Sequence, residues 1–195
     1  STKLNIPKLF PLCGIYETAD HKEIEQNYGK AVQAMYPIKG KRTRHYAFYD
    51  ELDIKQLSED RLMEDVFEDA LKNGEFQLWY QPKVDPVTGN ILGAEALIRW
   101  KRPDGTMLSP GKFIPLFEKN GNITTLDEYV FRTVCAQQQR WLQAGAKLYP
   151  ISVNISRVSL YYSNVVDKYR ELLNSFQLDP KYVPLEITES ATINN

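Results

Sequence analysis

Apolar residues recur in two different rhythms along this chain, and the change between them divides it. Residues 9–16 are an apolar and aromatic run that predicts a short buried strand. From Asp20 to about Tyr36, Ile24, Tyr28, Ala31, Val32 and Met35 recur at spacings of three and four, which predicts a helix ended by Pro37. Residues 46–49 read as an edge strand. Ser58 can then cap a further helix, with Leu62, Val66, Phe67, Ala70 and Leu71 as its apolar stripe and Asn73-Gly74 as its stop. After Gly74 the pattern alternates. Residues 76–81 and 91–100 predict strands joined by a turn at 85–90, and so short a join forces antiparallel pairing. Helices at 110–120 and about 125–144 follow, the second with Leu126, Tyr129, Val130, Val134, Trp141 and Leu142 on its apolar side. A strand at 149–155, a helix at 159–176 and a strand at 183–188 complete the series. From residue 91 onward the order is strand, helix, strand, helix, strand, which is the mark of a parallel α/β sheet or barrel.

Alternate strand residues share a face, so parity groups the side chains that can act together. In 91–100 the odd positions gather Glu95, Leu97 and Arg99. In 151–156 the even positions gather Ser152, Asn154 and Ser156, and in 183–188 Glu186 and Thr188 share one parity. Three successive strands thus offer Glu95, Asn154 and Glu186 on their polar faces, with the ligands expected near the strands' C-terminal ends, where α/β proteins keep their sites. Two carboxylates and an amide are hard oxygen donors suited to Mg²⁺, Mn²⁺ or Ca²⁺. Arg99 beside them suits an anionic group, because guanidinium matches a phosphate bidentately. The combination points to metal-assisted attack of water on a phosphoester. Taken singly, each residue has a plainer reading, a rim salt bridge for the glutamates and a satisfied polar group for the asparagine. Their coincidence on one parity carries the argument.

Composition narrows the class. The 195 residues carry 24 basic and 25 acidic side chains, for a net charge of −1, and 43% are hydrophobic. That is an ordinary globular balance, against disorder and against a globally basic DNA- or RNA-binding protein. The basic run 39–45 precedes a stretch, 50–69, with nine carboxylates and two basic residues, so the run reads as a solvated turn facing acidic neighbours. No uncharged run exceeds nine residues, which leaves no membrane span in this chain when about 18 apolar residues are needed. Cys13 and Cys135 are far apart and without a partner motif, which fits small core residues in a reducing cytoplasm.

The run Gly93-Ala94-Glu95-Ala96-Leu97-Ile98-Arg99-Trp100 resembles the signature of the EAL domain, the cyclic-di-GMP phosphodiesterase of bacterial signalling. Tyr80-Gln81-Pro82, the segment 109–115, Ser152-Val153-Asn154-Ile155-Ser156 and the segment 185–190 match in order and spacing, so the resemblance covers 75–195. It implies a modified (β/α)₈ barrel with an antiparallel first strand, and Glu95, Asn154 and Glu186 as ligands of Mg²⁺ or Mn²⁺. It further implies that Arg99 contacts a phosphate of cyclic-di-GMP, that Gln81 and Leu97 help seat the dinucleotide, and that Glu189 supports Glu186. Residues 1–50 are similar, more weakly, to the C-terminal part of a GGDEF, or diguanylate cyclase, domain. Leu12-Cys13-Gly14-Ile15-Tyr16 takes the place of its Ser-x-Gly strand, and the segments 30–36 and 46–50 resemble its late helix and closing strand. Cys13 for Ser, Pro37 beside the expected lysine and Arg42-Thr43-Arg44 for Gly-Arg-Asn make that segment degenerate, and no cyclase activity is expected of it.

The expected organisation is therefore a GGDEF remnant over 1–50, a linker helix over 51–74 and the first half of an EAL barrel over 75–195. A complete barrel takes roughly 250 residues, and only about 120 follow Gly74. The family's aspartate pair, catalytic lysine and later glutamate belong beyond Asn195, so this chain by itself is expected to be inert although its parent hydrolyses cyclic-di-GMP. An exposed last strand predicts homo-oligomers or element exchange between copies. Two other readings fit the same residues: a cyclic-di-GMP receptor that has lost catalysis, and a dimerisation or scaffold module.

Overall fold

A computed structural model describes residues 11–18, 22–39, 45–49, 51–161 and 164–187. The chain separates into two compact units, residues 1–62 and residues 63–195.

In the first unit, strand β1 (Cys13–Ile15) leads to helix α1 (Ile24–Met35), a 3-10 turn (Tyr36–Ile38) and strand β2 (Tyr46–Phe48), which pairs parallel with β1. Gly14 is required by contact. A Cβ there would come within 1.7 Å of the Ala31 carbonyl oxygen, so the bare backbone is what lets α1 lie against the strand. Ala34, Ile38 and Ala47 form the small core. This shifts the expected helical face: Ala34 is buried while Ile24 and Tyr28 are exposed. Cys13 is exposed, against its reading as a core residue, whereas Cys135 of the second unit is buried as expected. The strand expected at 9–16 is described only from residue 11, and most of the basic run 39–45 lies outside the described residues.

The acidic stretch forms α2 (Glu51–Asp65) and α3 (Phe67–Lys72), and the boundary between the units falls inside α2. The helix starts earlier than the Ser58 cap predicted, so Ser58 sits in its interior. Met63, Phe67 and Ala70 are buried in a core of the second unit, while Leu62, counted in the expected stripe, is exposed.

The second unit is a five-stranded mixed sheet in the path β3 (Phe76–Val84), β4 (Ile91–Lys101), β6 (Ile151–Ile155) and β7 (Leu185–Ile187), with short β5 (Met107–Leu108) pairing with β4. β3 runs antiparallel to β4, whereas β4–β6 and β6–β7 are parallel. Helices α4 (Pro110–Asn120) and α5 (Ile123–Gln143) connect β5 to β6. Helices α6 (Arg157–Leu160) and α7 (Val165–Ser175) and a 3-10 turn (Pro180–Tyr182) connect β6 to β7. The expected helix over 159–176 is thus two helices, and of the strand expected over 183–188 the described part is Leu185–Ile187, with Thr188 outside the described residues.

Two cores hold the sheet to its helices. Trp100, Phe76, Phe67, Phe113 and Phe117 interlock, with neighbouring ring centroids 4.7–5.9 Å apart for Phe67–Phe117, Phe67–Phe76, Phe76–Trp100 and Trp100–Phe113. The indole N–H of Trp100 donates to Glu75 at 2.8 Å, so even this fully buried ring has its polar atom satisfied. The other core joins Ala96, Val153 and Ile155 of the sheet to Val130, Phe131 and Val134 of α5 and to Tyr169, Leu172 and Leu173 of α7. Trp141 and Leu142, assigned to the apolar side of α5, are partly exposed at its end. In their place the helix buries Gln138, which donates to the carbonyls of Tyr149 and Tyr182 at 2.7 and 3.0 Å and so ties together the approaches to β6 and β7.

Asp127 of α5 anchors the exit of β6. Its carboxylate accepts from the Ser156 N–H at 2.9 Å and the Ser159 hydroxyl at 2.7 Å, and Ser156 itself caps α6. Burial pushes the Asp127 carboxyl above its ordinary range, and hydrogen bonds from Ser156 and Ser159 pull the other way. A carboxyl whose folded pKa is raised favours the folded state below its unfolded value near ~4 and loses that favour as pH rises through its folded value. Asp127→Asn keeps an acceptor for both serines and should flatten the fall in stability from about pH 4 upward, whereas Asp127→Ala should cost at least about 2 kcal/mol by stranding two buried donors. Denaturant melts across pH check this; a pH slope unchanged in Asp127→Asn would contradict it.

Candidate functional site

The site is assembled by strand register. Directly paired residues share a face, and Gln81 of β3 pairs with Glu95 of β4, Trp79 with Leu97, and Gln77 with Arg99. On the other side of β4, Glu95 pairs with Ser152 of β6, and Asn154 pairs with Glu186 of β7. One sheet face therefore carries Gln81, Glu95, Leu97, Arg99, Ser152, Asn154 and Glu186, and the opposite face carries the apolar residues that pack on the helices. The parity argument grouped these residues correctly within each strand. Its placement of Glu95 needs correction, since Glu95 lies in the middle of the eleven-residue β4 and not at its C-terminal end. β4 is long because its second half pairs with β3 and β5, so the level of the site is set by where short β6 and β7 begin. Ser156 also leaves the group, because it is buried at the cap of α6.

Local backbone chemistry makes this register possible. The β3–β4 turn is closed by Asp85, whose carboxylate accepts from the N–H of Val87 at 2.8 Å and of Thr88 at 3.3 Å, and Gly89 takes the left-handed conformation with φ 70°. Gly93 then lets β6 come close: a Cβ there would stand 2.5 Å from the Pro150 carbonyl oxygen, which accepts from the Ala94 N–H at 2.9 Å.

Two of the three predicted ligands are in contact, and the third lies on the adjacent strand. The Asn154 side-chain amide donates to Glu95 Oε1 at 2.6 Å, and Glu186 stands on the neighbouring strand, paired with Asn154. Glu186 is held by a residue that sequence reasoning missed, Lys83 of β3. Its ammonium forms an ion pair with Glu186 Oε1 and donates to Ser152 Oγ at 2.8 Å. The hydrogen bond from Lys83 lowers the Glu186 carboxyl below its ordinary range. Extending the parity argument to β3 puts Lys83 on the site face with Gln77, Trp79 and Gln81, and the sheet order then brings it to Glu186. Trp79 was missed for the same reason. The Arg99 guanidinium lies 5.8 Å from its ring centroid and donates Nη1 to the Ile98 carbonyl at 2.8 Å, which leaves other guanidinium N–H groups for an anion. Leu97 borders a cavity of about 380 Å³ between the sheet and α4–α5, whose other walls include Ile114, Leu126, Val130 and Asn154. Gln81 is exposed in register with Glu95, and Glu189 lies outside the described residues.

The donor set fits a hard divalent cation. Glu95 and Glu186 supply carboxylate oxygens, and Asn154 can turn its amide oxygen toward the same point by a rotation that exchanges its O and N. Among the described residues, no three His, Cys, Asp or Glu side chains cluster to hold a metal, so the amide of Asn154 is needed to complete a three-ligand group.

A mixed sheet opened by an antiparallel hairpin, with two carboxylates, an amide and an arginine on one face, defines an α/β protein with a polar site on its sheet. Residues 64–195 match the EAL domain, and the chain belongs to that family. It is 34% identical over 163 residues to the bifunctional diguanylate cyclase/cyclic di-GMP phosphodiesterase MucR of Pseudomonas aeruginosa, covering 83% of this chain and 24% of MucR. It is 29% identical over 176 residues to the cyclic di-GMP phosphodiesterase NbdA of the same organism, covering 90% of this chain and 22% of NbdA. The chain thus spans about a quarter of the length of these curated relatives. Among solved structures, the MucR phosphodiesterase in complex with c-di-GMP superposes with a TM-score of 0.63 at 35% identity, over 69% of this chain and 54% of that one. The cGMP-bound EAL enzyme Bd1971 gives 0.63 at 25% identity, over 73% and 41%.

Gly93 offers a direct handle on this geometry. Gly93→Ala must push β6 away from β4 and should destabilise the fold by about 1–3 kcal/mol while loosening the Glu95–Asn154 contact. Thermal denaturation measures the first effect; a midpoint equal to the parent's would show that the close approach is dispensable.

Proposed function

We propose that this chain supplies the metal- and phosphate-binding half of a cyclic-di-GMP phosphodiesterase, an EAL barrel whose first strand is the antiparallel β3. The observation that carries the reading is the convergence of Glu95, Asn154 and Glu186 from three neighbouring strands onto one face, with Arg99 on the same face. These three side chains hold Mg²⁺ or Mn²⁺. When bound, such a cation supplies Lewis-acid polarisation of a phosphoester and activation of water at neutral pH. Arg99, braced against Trp79, takes a non-bridging phosphate oxygen, while Gln81 and Leu97 seat the dinucleotide and Glu189 supports Glu186. Hydrolysis adds one water across a single phosphodiester bond. The 3′ oxygen leaves with a proton and the product is the linear dinucleotide pGpG. The activity is proposed for the full-length protein, since the chain covers 54% of the solved MucR phosphodiesterase and 24% of MucR itself.

Residues 1–50 are read as the end of a degenerate GGDEF domain and 51–74 as the helical connection to the EAL segment. The parallel β1–β2 pair around α1, with Gly14 against α1, supports the first of these assignments. Self-association is part of the same reading, because Leu185 and Ile187 of β7 present exposed apolar side chains. Among the described residues no helix is long and apolar enough to cross a membrane; a cytoplasmic site of action follows from the proposed substrate, a second messenger.

The experiment is hydrolysis of cyclic-di-GMP by the full-length protein in Mg²⁺ or Mn²⁺, with Glu95→Gln as control. The expected result is metal-dependent turnover that falls at least about a hundredfold in the variant. Binding without turnover selects the receptor reading, absence of binding selects the scaffold reading, and turnover unaffected by Glu95→Gln overturns the ligand assignment.

A further inference from the structure

Lys83 has no role in the reading above, yet it is ion-paired to one of the proposed ligands, Glu186. An ammonium has three N–H donors and no lone pair, so Lys83 cannot itself hold a cation. It reaches the site from β3, where the directly paired residue on β4 is Gly93, which has no side chain to stand in the way. Its stem crosses β4 at that position, and the ammonium settles between Ser152 of β6 and Glu186 of β7. We propose that Lys83 is a tethered counter-cation of the metal site: it neutralises Glu186 in the metal-free protein and makes divalent-cation affinity weaker than the three ligands alone would set it.

The inference rests on the metal reading of Glu95, Asn154 and Glu186. Without a metal, two carboxylates on adjacent parts of one face repel each other. The Asn154 amide N–H relieves Glu95 and the Lys83 ammonium relieves Glu186, one oxygen in each case. A cation bound through the remaining oxygen of Glu186 shares that carboxylate with a positive charge. Repulsion between a dication and an ammonium at such separation amounts to about a tenfold change in dissociation constant even with solvent-like screening. The opposite contribution is orientation, since groups that orient a ligand commonly raise metal affinity. Here orientation has other sources. Glu186 is fixed in register with Asn154, and Ser152, a residue only 2% exposed, lies on the same face, its hydroxyl bonded to Lys83 and to the β4 backbone. The charge of Lys83 has no such substitute, so repulsion decides the sign. Metal occupancy then varies over a range of free metal concentration in which a site lacking the ammonium would be saturated.

The test is calorimetric titration of Mn²⁺ into the full-length protein and its Lys83→Met, Lys83→Gln, Lys83→Arg and Glu95→Gln variants, with no substrate present. The expected result is about tenfold tighter Mn²⁺ binding in Lys83→Met and in Lys83→Gln, and near-parental affinity in Lys83→Arg, which keeps the charge. Glu95→Gln should abolish the binding. Affinity unchanged or weakened in both neutral variants, or tightened equally in Lys83→Arg, overturns the counter-cation while the ligand assignment stands. Parental binding that survives Glu95→Gln, or that is absent altogether, overturns the ligand assignment and the counter-cation with it.

Discussion

Everything at the site depends on the parallel pairing of β4 with β6. That ladder sets Glu95 opposite Ser152 and so brings the next even residue, Asn154, within 2.6 Å of the Glu95 carboxylate. It closes tightly because Gly93 presents only backbone to the Pro150 carbonyl, and because the Ala94 N–H takes that carbonyl as its acceptor. A shift of one residue would turn Ser152 and Asn154 into the helix-facing core and Val153 onto the site. The helix side forbids that slip, since Val153 and Ile155 are buried among α5 and α7 side chains. The hydrophobic core thus specifies the register, and the register specifies the chemistry.

The polar fastenings around β6 serve the same end. Gln138 ties the chain before β6 to the chain before β7, and Asp127 captures the backbone immediately after β6 through Ser156. A five-residue strand is short for carrying a ligand at a defined height. Here it is fixed at its entrance by one buried amide and at its exit by one buried carboxylate, each contributed by α5. Both groups lie away from the site face, so they act on the site through backbone position.

Much of this was legible in the sequence because strand parity is a strict rule of the backbone. The alternation in 91–100 and 151–156 separates Glu95, Arg99 and Asn154 from Ala96, Val153 and Ile155 without any knowledge of partners. The height of each residue along the sheet was not legible, which is why Glu95 sits mid-strand and not at a strand end: height depends on which parts of β4 find partners in β3, β5 and β6. Helix faces near helix ends were also misread. Ile24, Leu62, Trp141 and Leu142 satisfy helical spacing yet are exposed, since spacing identifies a face but not whether a partner covers it. Lys83 escaped notice because its meaning is tertiary. A lysine in an exposed strand reads as a solvated charge until the sheet brings Glu186, two strands beyond β4, within its reach.

The central claim is that Glu95, Asn154 and Glu186 form one metal-binding group created by strand register. Anomalous diffraction from crystals of the full-length protein grown with Mn²⁺ tests it most directly. The account predicts an anomalous peak bounded by the side chains of these three residues, with the Asn154 amide oxygen turned toward it. A Mn²⁺ peak elsewhere in the EAL segment, with Asn154 still donating to Glu95, would contradict it.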